Sequence, residues 1–353
     1  MDNKLKANLT KAAATSAMQE MEDRVAHYKA KAELAESILG KLRKERGGLR
    51  EMMSQLTSAV AAADPWDRVK YYPGDPSRTP VSAVVKLSDW HIGEVIEKGE
   101  TEGFGEFNWA IAQKRVFFIA EKLIEWTNMH RIAGFPIDEL VILSEADLVS
   151  GNIHYELEVT NEFPVTVATA NAGLLLAEFT SRVAGHFKRV VLSEISADNH
   201  GRLTRKNQAK QGGLNNYSFL AHTIANQSLV KHENVKILAH EGIKGLVSIQ
   251  KKIFLTQHGH GILSALGIPY YGLERARARE AVKRSRTDKE FDYISTAHYH
   301  VPAILSENIY MNGSLSGTTE FDHMQGRHAK PSQVSFMVHP KHGPFDFTAW
   351  KLS

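Results

Sequence analysis

The sequence predicts an α/β fold preceded by a long N-terminal helix. From residue 79 onward, short apolar runs of strand length alternate with longer stretches of helical periodicity, the pattern of strands packed beneath helices. Several of these runs are followed closely by Asp, Asn or His, as strands are when their carboxyl ends border a shared ligand crevice. Ahead of them, apolar residues spaced three and four apart over residues 10–62 read as one helix.

That first helix carries Met18, Met21, Val25, Tyr28, Ala32, Ala35, Leu39, Leu42, Leu49, Met53, Leu56 and Val60 on one seam, broken only by Arg46. A heptad seam of this length predicts a coiled coil, and hence a homo-oligomer, within a segment 1–63. The alternative is a helix laid on the protein's own surface, and Gly40, Gly47 and Gly48 weaken the seam. Asp64-Pro65 ends the helix, because proline cannot continue one. A linker over 64–78, rich in proline and glycine towards its end, leads into a domain over 79–353.

In that domain, residues 81–87 read as a buried strand and 108–131 as an amphipathic helix. Residues 139–144 are a second buried strand, 165–187 a helix and 189–195 a third strand. Residues 218–229 read as helix. Short strands follow near 235–238, 253–256, 293–297 and 309–311, and a last pair over 334–338 and 345–350 closes the chain. A basic run with Arg275, Arg277, Arg279, Lys283, Arg284 and Arg286 reads as helix.

At 353 residues, with 42% hydrophobic and 24% charged residues, the composition is that of a globular protein. The formal net charge of +3 is too small to require a nucleic-acid partner by itself. The absence of cysteine excludes disulfides, thiolate metal sites and a cysteine nucleophile. No run approaches the roughly 18 apolar residues of a membrane span, and the first residues lack an apolar core of signal-peptide length. We therefore expect a cytoplasmic chain with no membrane partner.

The chemistry collects behind the strands. The first ends in Asp89-Trp90-His91, the second in Asp147, the third in Asn199-His200, the fourth in His258-Gly259-His260 and the fifth in His298-Tyr299-His300. With 17 histidines in the chain, any one of these is easily a loop residue. Five in one domain are hard to explain that way. Oxygen and imidazole donors without sulfur suit zinc, manganese or iron. In this number they suit two ions bridged by a carboxylate, an arrangement that clamps the oxygens of a phosphoryl displacement.

In order and spacing, Asp89-x-His91, Asp147 with Gly151, Asn199-His200, His258 and His298-x-His300 resemble the calcineurin-like metallophosphoesterase superfamily over about residues 80–320. Gly151-Asn152-Ile153-His154 with Thr160-Asn161, Asn199-His200-Gly201-Arg202 and Asn312-Gly313-Ser314-Leu315 resemble its phage-encoded members, which would place the chain in the host-cell cytoplasm. The resemblance implies a two-sheet αββα sandwich. It implies Asp89, His91 and His300 on one metal, Asn199, His258 and His298 on a second, and Asp147 between them, with His260 as the alternative to His258. His200 would face the scissile phosphate as the catalytic imidazole. Manganese is the first choice for both ions, with iron, zinc and magnesium as alternatives. Two departures stand out: Ala146 and Asp198 occupy positions where the family usually has glycine.

Two cations lower the pKa of a water between them, so a hydroxide is available to attack phosphorus near neutral pH. Arg202, Arg205 and Lys206 follow the third motif and suit the backbone of a nucleic acid. The expected function is thus a two-metal phosphodiesterase acting on nucleic acid, a nuclease with DNA favoured. A phosphatase or small-nucleotide phosphodiesterase is the alternative within enzymes. A non-catalytic scaffold of the same fold is the alternative outside them.

Overall fold

Why the chain folds into layers is visible in the alternation of its strands. In the computed structural model, which describes residues 72–204, 206, 209–264 and 269–352, β1 (Ser82–Leu87), β2 (Glu139–Ser144) and β3 (Arg189–Ile195) pair in parallel. Side chains alternate between the faces of a strand. Ala83, Val85, Leu87, Leu140, Ile142, Val190 and Leu192 therefore share one face, where they join the apolar cluster formed with α1 (Trp109–Ile132), α3 (Val165–Ala184) and α4 (Tyr217–Ser228). A short α2 (Tyr155–Thr160) lies between β2 and α3 in the chain. The opposite face carries Val84, Val141, Leu143 and Val191, which pack on a second sheet.

The first sheet has the order β11-β10-β1-β2-β3-β4, with β4 (Val235–His240), β10 (Ser332–His339) and β11 (Gly343–Lys351). β10 is antiparallel to both β1 and β11. The second sheet has the order β5-β6-β7-β9-β8, built from β5 (Lys244–Ile249), β6 (Lys252–Gln257), β7 (Tyr293–Thr296), β8 (Ala303–Leu305) and β9 (Ile309–Met311). Phe254 and Tyr310 face the first sheet. Leu255, Ile294, Ile309 and Met311 face outward and bury Leu273 of α5 (Tyr270–Arg284). The layers run helix, sheet, sheet, helix, so the architecture is the expected two-sheet αββα sandwich. A last short helix, α6 (Glu320–Met324), is closed by a capping box at Thr319 and Asp322.

Among the described residues no helix is long and apolar enough to cross a membrane. The expected helix over 10–62, its heptad seam and the first part of the linker lie outside the described residues. Most other elements match the sequence expectations to within a few residues, and the four the sequence reading missed are β5, β8, α2 and α6.

Candidate metal centre

In a parallel sheet all carboxyl ends point the same way, so the loops after β1, β2 and β3 emerge together. The backbone then ties them to one another. Asp89 N–H donates to Ala146 O, and the N–H groups of Trp90 and His91 both donate to Asp147 O, at 2.8 and 3.1 Å. The His200 N–H donates to Asp147 Oδ1 at 3.1 Å, bringing in the third loop. The second sheet joins through the His298 N–H, 3.1 Å from Asp89 Oδ1. Gly151 makes the tight approach possible: a Cβ there would stand 2.0 Å from His200 O.

The side chains so placed form three interlocking groups, each compact enough to hold a metal ion: Asp89, His91 and His300; His91, Asp147 and His200; Asp147, His258 and His298. His91 belongs to two of them, and so does Asp147. His91 Nε2 and His300 Nε2 stand 3.2 Å apart, and His300 Nε2 lies 3.5 Å from Asp89 Oδ1. On the other side, His258 Nε2 is 2.9 Å from Asp147 Oδ2 and 3.1 Å from Asn199 Oδ1. One ring N–H cannot point at both oxygens. It is aligned on the amide, and the carboxylate contact is a charge pair that leaves Asp147 Oδ2 without a hydrogen bond. His260 belongs to none of the three groups, so the geometry selects His258 as the member of this loop at the centre.

Outer hydrogen bonds fix the rings. His258 Nδ1 sits 2.9 Å from Glu145 O and His200 Nδ1 sits 2.8 Å from Ser150 O. A carbonyl only accepts, so each Nδ1 carries a proton and Nε2 is the nitrogen that faces the site. Holding an imidazole by its second nitrogen is how ligating histidines are oriented.

The electrostatics fit cations. Burial pushes the His91 and His298 imidazoles down, His298 to about 3, so both keep free lone pairs at neutral pH. Burial alone would raise the Asp147 carboxyl, but the positive charge of His258 and neighbouring histidines holds it well below the usual carboxylate range. Burial likewise disfavours His258⁺, but Asp147 outweighs it and the ring is driven up. A proton on His258 thus balances a buried carboxylate, a role that a bound cation would take over. The His91 Nδ1 and Asp147 Oδ2 atoms are buried without hydrogen-bond partners, which is costly unless something else binds there. These residues fit divalent metal ions.

Backbone strain marks the same place. Asp89, His91, Ala146, Asp147, His298 and His300 all have positive φ, between 46° and 75°. Such conformations cost on the order of 1–3 kcal/mol each and cluster at functional sites. Ala146, at φ 66°, therefore holds a left-handed turn in which glycine would be unstrained.

Asp198 is not a third carboxylate for the metals. Its Oδ1 accepts from the Gly201 N–H and Asn216 Nδ2, both at 2.7 Å. Its Oδ2 accepts from the Asp147 N–H at 2.8 Å and from Ser218 Oγ at 2.5 Å. Saturated by four donors, it braces the loop that carries Asn199 and His200. Arg202 is also turned inward: its guanidinium donates to Thr204 O at 3.0 Å and to Asn199 O. Lys206 is exposed, and Arg205 lies outside the described residues. The sequence reading missed two carboxyls beside the centre, the buried Glu145 and the half-buried Glu94. Burial pushes Glu94 up to about 8. Glu145 directly follows the apolar β2 run, two residues before Asp147, which was the available signal.

No family model matches the chain, and neither does any curated protein sequence. Among solved structures it is similar to vacuolar protein sorting 29 from Cryptosporidium parvum, at 11% identity over 77% of this chain and 98% of that one, with a TM-score of 0.29. It is also similar to the calcineurin-like phosphoesterase YfkN from Bacillus subtilis, at 10% identity over 78% and 92% of the two chains, again with a TM-score of 0.29.

Proposed function

We propose that the chain is a metal-dependent phosphodiesterase that cuts nucleic acid, with DNA as the first substrate to test. The observation that carries this is the interlocking of three largely buried ligand groups through His91 and Asp147, with oxygen and nitrogen donors only. Asp89, His91 and His300 would hold one ion, and Asn199, His258 and His298 a second, with Asp147 between them. Ions in these places would supply Lewis acidity towards a phosphoryl oxygen and a more acidic water. The chain itself does the rest. Strained loops fix the donors before substrate arrives, so little reorganisation is needed on binding. His200, held by Ser150 O, keeps Nε2 free beside His91 and Asp147, where it can carry a proton to a leaving oxygen. Lys206, exposed on the loop after His200, would meet a strand backbone.

The purified protein with Mn²⁺ should cleave labelled single- or double-stranded DNA or RNA and bis(p-nitrophenyl) phosphate, and should lose activity in EDTA. Asp147→Asn should lower turnover on the order of 10²-fold or more, as expected when a positioned charge at a reacting centre is removed. Cleavage of a phosphomonoester alone would make the chain a phosphatase, and no hydrolysis with any of Mn²⁺, Fe²⁺, Zn²⁺ or Mg²⁺ would make it a scaffold.

A further inference from the structure

Next to the metal centre, between α5 and the loops at Ile243–Lys244 and after β6, lies a cavity of about 460 Å³. Its size is within the roughly 300–1,000 Å³ of small-ligand sites. We propose that it seats a nucleoside phosphate, the unit adjoining the phosphate that is cut. This rests on the reading above for where cutting occurs, but the charge and shape of the cavity are independent of it.

The cavity and the metal centre share one loop. Gln257, Gly259 and His260 line the cavity, and His258 between them reaches Asp147. Gly259, at φ 122°, makes this turn: a Cβ there would stand 2.7 Å from Thr296 Oγ1. A group in the cavity is thus within one residue of a predicted metal ligand. His260 borders the cavity and also a separate, smaller void lined by Asp198 and Arg202.

The opposite wall is α5. Leu273 buries one side of the helix in the outer apolar cluster. Arg275 and Arg279, four apart and so neighbours on one face, line the cavity. Among the described residues, neither guanidinium is in an ion pair. The one carboxylate on the wall, Glu280, is already held by Lys244 at 2.9 Å and Arg284 at 3.1 Å. The wall's own charges, Lys244, Arg275 and Arg279 against Glu280, leave a surplus of two positive charges. Guanidinium groups bind phosphate through paired N–H donors. Beside them Tyr271 is 71% exposed and Leu263 is 88% exposed, an apolar surface that solvent alone does not favour. A base stacks on such a surface while its phosphate meets the arginines. A bare anion would use the arginines and leave Tyr271 idle.

The test is anisotropy of a fluorescein-labelled single-stranded oligonucleotide, titrated with the full-length protein in EDTA, so that binding is read without metal or turnover. Thymidine monophosphate and inorganic phosphate serve as competitors. Arg275→Gln/Arg279→Gln should weaken binding about 10-fold or more and reduce its salt dependence, because two phosphate-facing charges are lost. Both positions are exposed, so the melting temperature should not move. Lys231→Gln/Lys341→Gln removes the same charge from exposed positions at the other end of the sandwich and should leave binding as it was. Tyr271→Ala should weaken both the strand and the mononucleotide roughly 10-fold through lost stacking, and leave competition by inorganic phosphate unchanged. Unchanged affinity in the arginine variant, or a wild type that binds neither strand nor mononucleotide, overturns the proposal. An equal loss in the Lys231/Lys341 variant reduces it to general surface charge and also overturns it. A wild type that binds as described yet hydrolyses nothing sinks the proposed activity and leaves the cavity standing. Hydrolysis with unaltered binding in the variants does the reverse.

Discussion

His222 is a buried imidazole with both nitrogens engaged. Nε2 is 2.8 Å from Ser144 Oγ and Nδ1 is 2.8 Å from Ser196 Oγ, so the ring ties the end of β2 to the start of the loop after β3. Burial pushes its pKa from 6.5 down to about 3. The unfolded chain takes up a proton below about pH 6.5 and the native ring does not. The stability tied to this group is therefore complete above pH 6.5 and drains away as the pH falls towards 3, at about 1.4 kcal/mol per pH unit. His222→Gln should be less stable than wild type at pH 7.5, with the gap closing by roughly 2 kcal/mol at pH 5. Urea unfolding at the two pH values measures this, and parallel losses would show that the ring titrates freely. Asp198 shows what single residues hide from the sequence. Beside Asn199-His200 it reads as an extra acid near metals, and only the fold reveals that Asn216 and Ser218, far along the chain, use up its oxygens.

Between the two sheets, Lys86 is the one lysine on the apolar strand β1 and is fully buried. Strand alternation places it with Val84 on the inter-sheet face. Its Nζ donates to Thr296 O at 2.7 Å and Tyr310 O at 2.6 Å in the second sheet and meets Glu145 Oε2 at 3.1 Å. Burial pulls the ammonium pKa down and the Glu145 pKa up, each resisted by the other's charge. Removing one member of a buried pair strands the other, at a cost of about 3–5 kcal/mol. Lys86→Met should lose about that much in denaturant unfolding, and adding Glu145→Gln should recover part of it. Additive losses in the double variant would deny the coupling. At this scale the sequence is legible wherever an element buries a regular face, as β1, β2, β3, α1 and α3 do. It is silent where burial is slight. β5 (Lys244–Ile249) buries Val247 and Ile249, but with lysine and glycine at its start it offers too short an apolar alternation to read, whereas β8 has three residues and α2 and α6 bury nothing. Periodicity cannot report a face that is not there.

For the whole molecule, the order of motifs along the chain picks out residues that the fold brings to one place. Five strand ends from two sheets meet there, and their donors are the residues whose types stood out in the sequence. What the sequence could not supply was the cavity wall, because Arg275 and Arg279 are adjacent to His260 only through packing. The three apolar clusters that build the sandwich use residues from Val81 to Leu352. The nearest upstream contact of note is the Asp75 N–H on Gly134 O at 3.1 Å, with Arg78 Nη1 on Ala133 O at 3.1 Å. A chain beginning at Tyr72 keeps both. It should fold, bind metal in the same stoichiometry as the full chain, and hydrolyse bis(p-nitrophenyl) phosphate with unchanged kcat/KM. The heptad seam that the sequence predicts over 10–62 would give the removed part a different task. Its apolar stripe from Met18 to Val60 is of the kind that pairs with another helix. Light scattering at micromolar concentration should then find an oligomer for the full chain and a monomer for the chain from Tyr72. A monomeric full-length protein would take the seam out of assembly, and a shortened chain that has lost its metals would show that the first 71 residues serve the site itself.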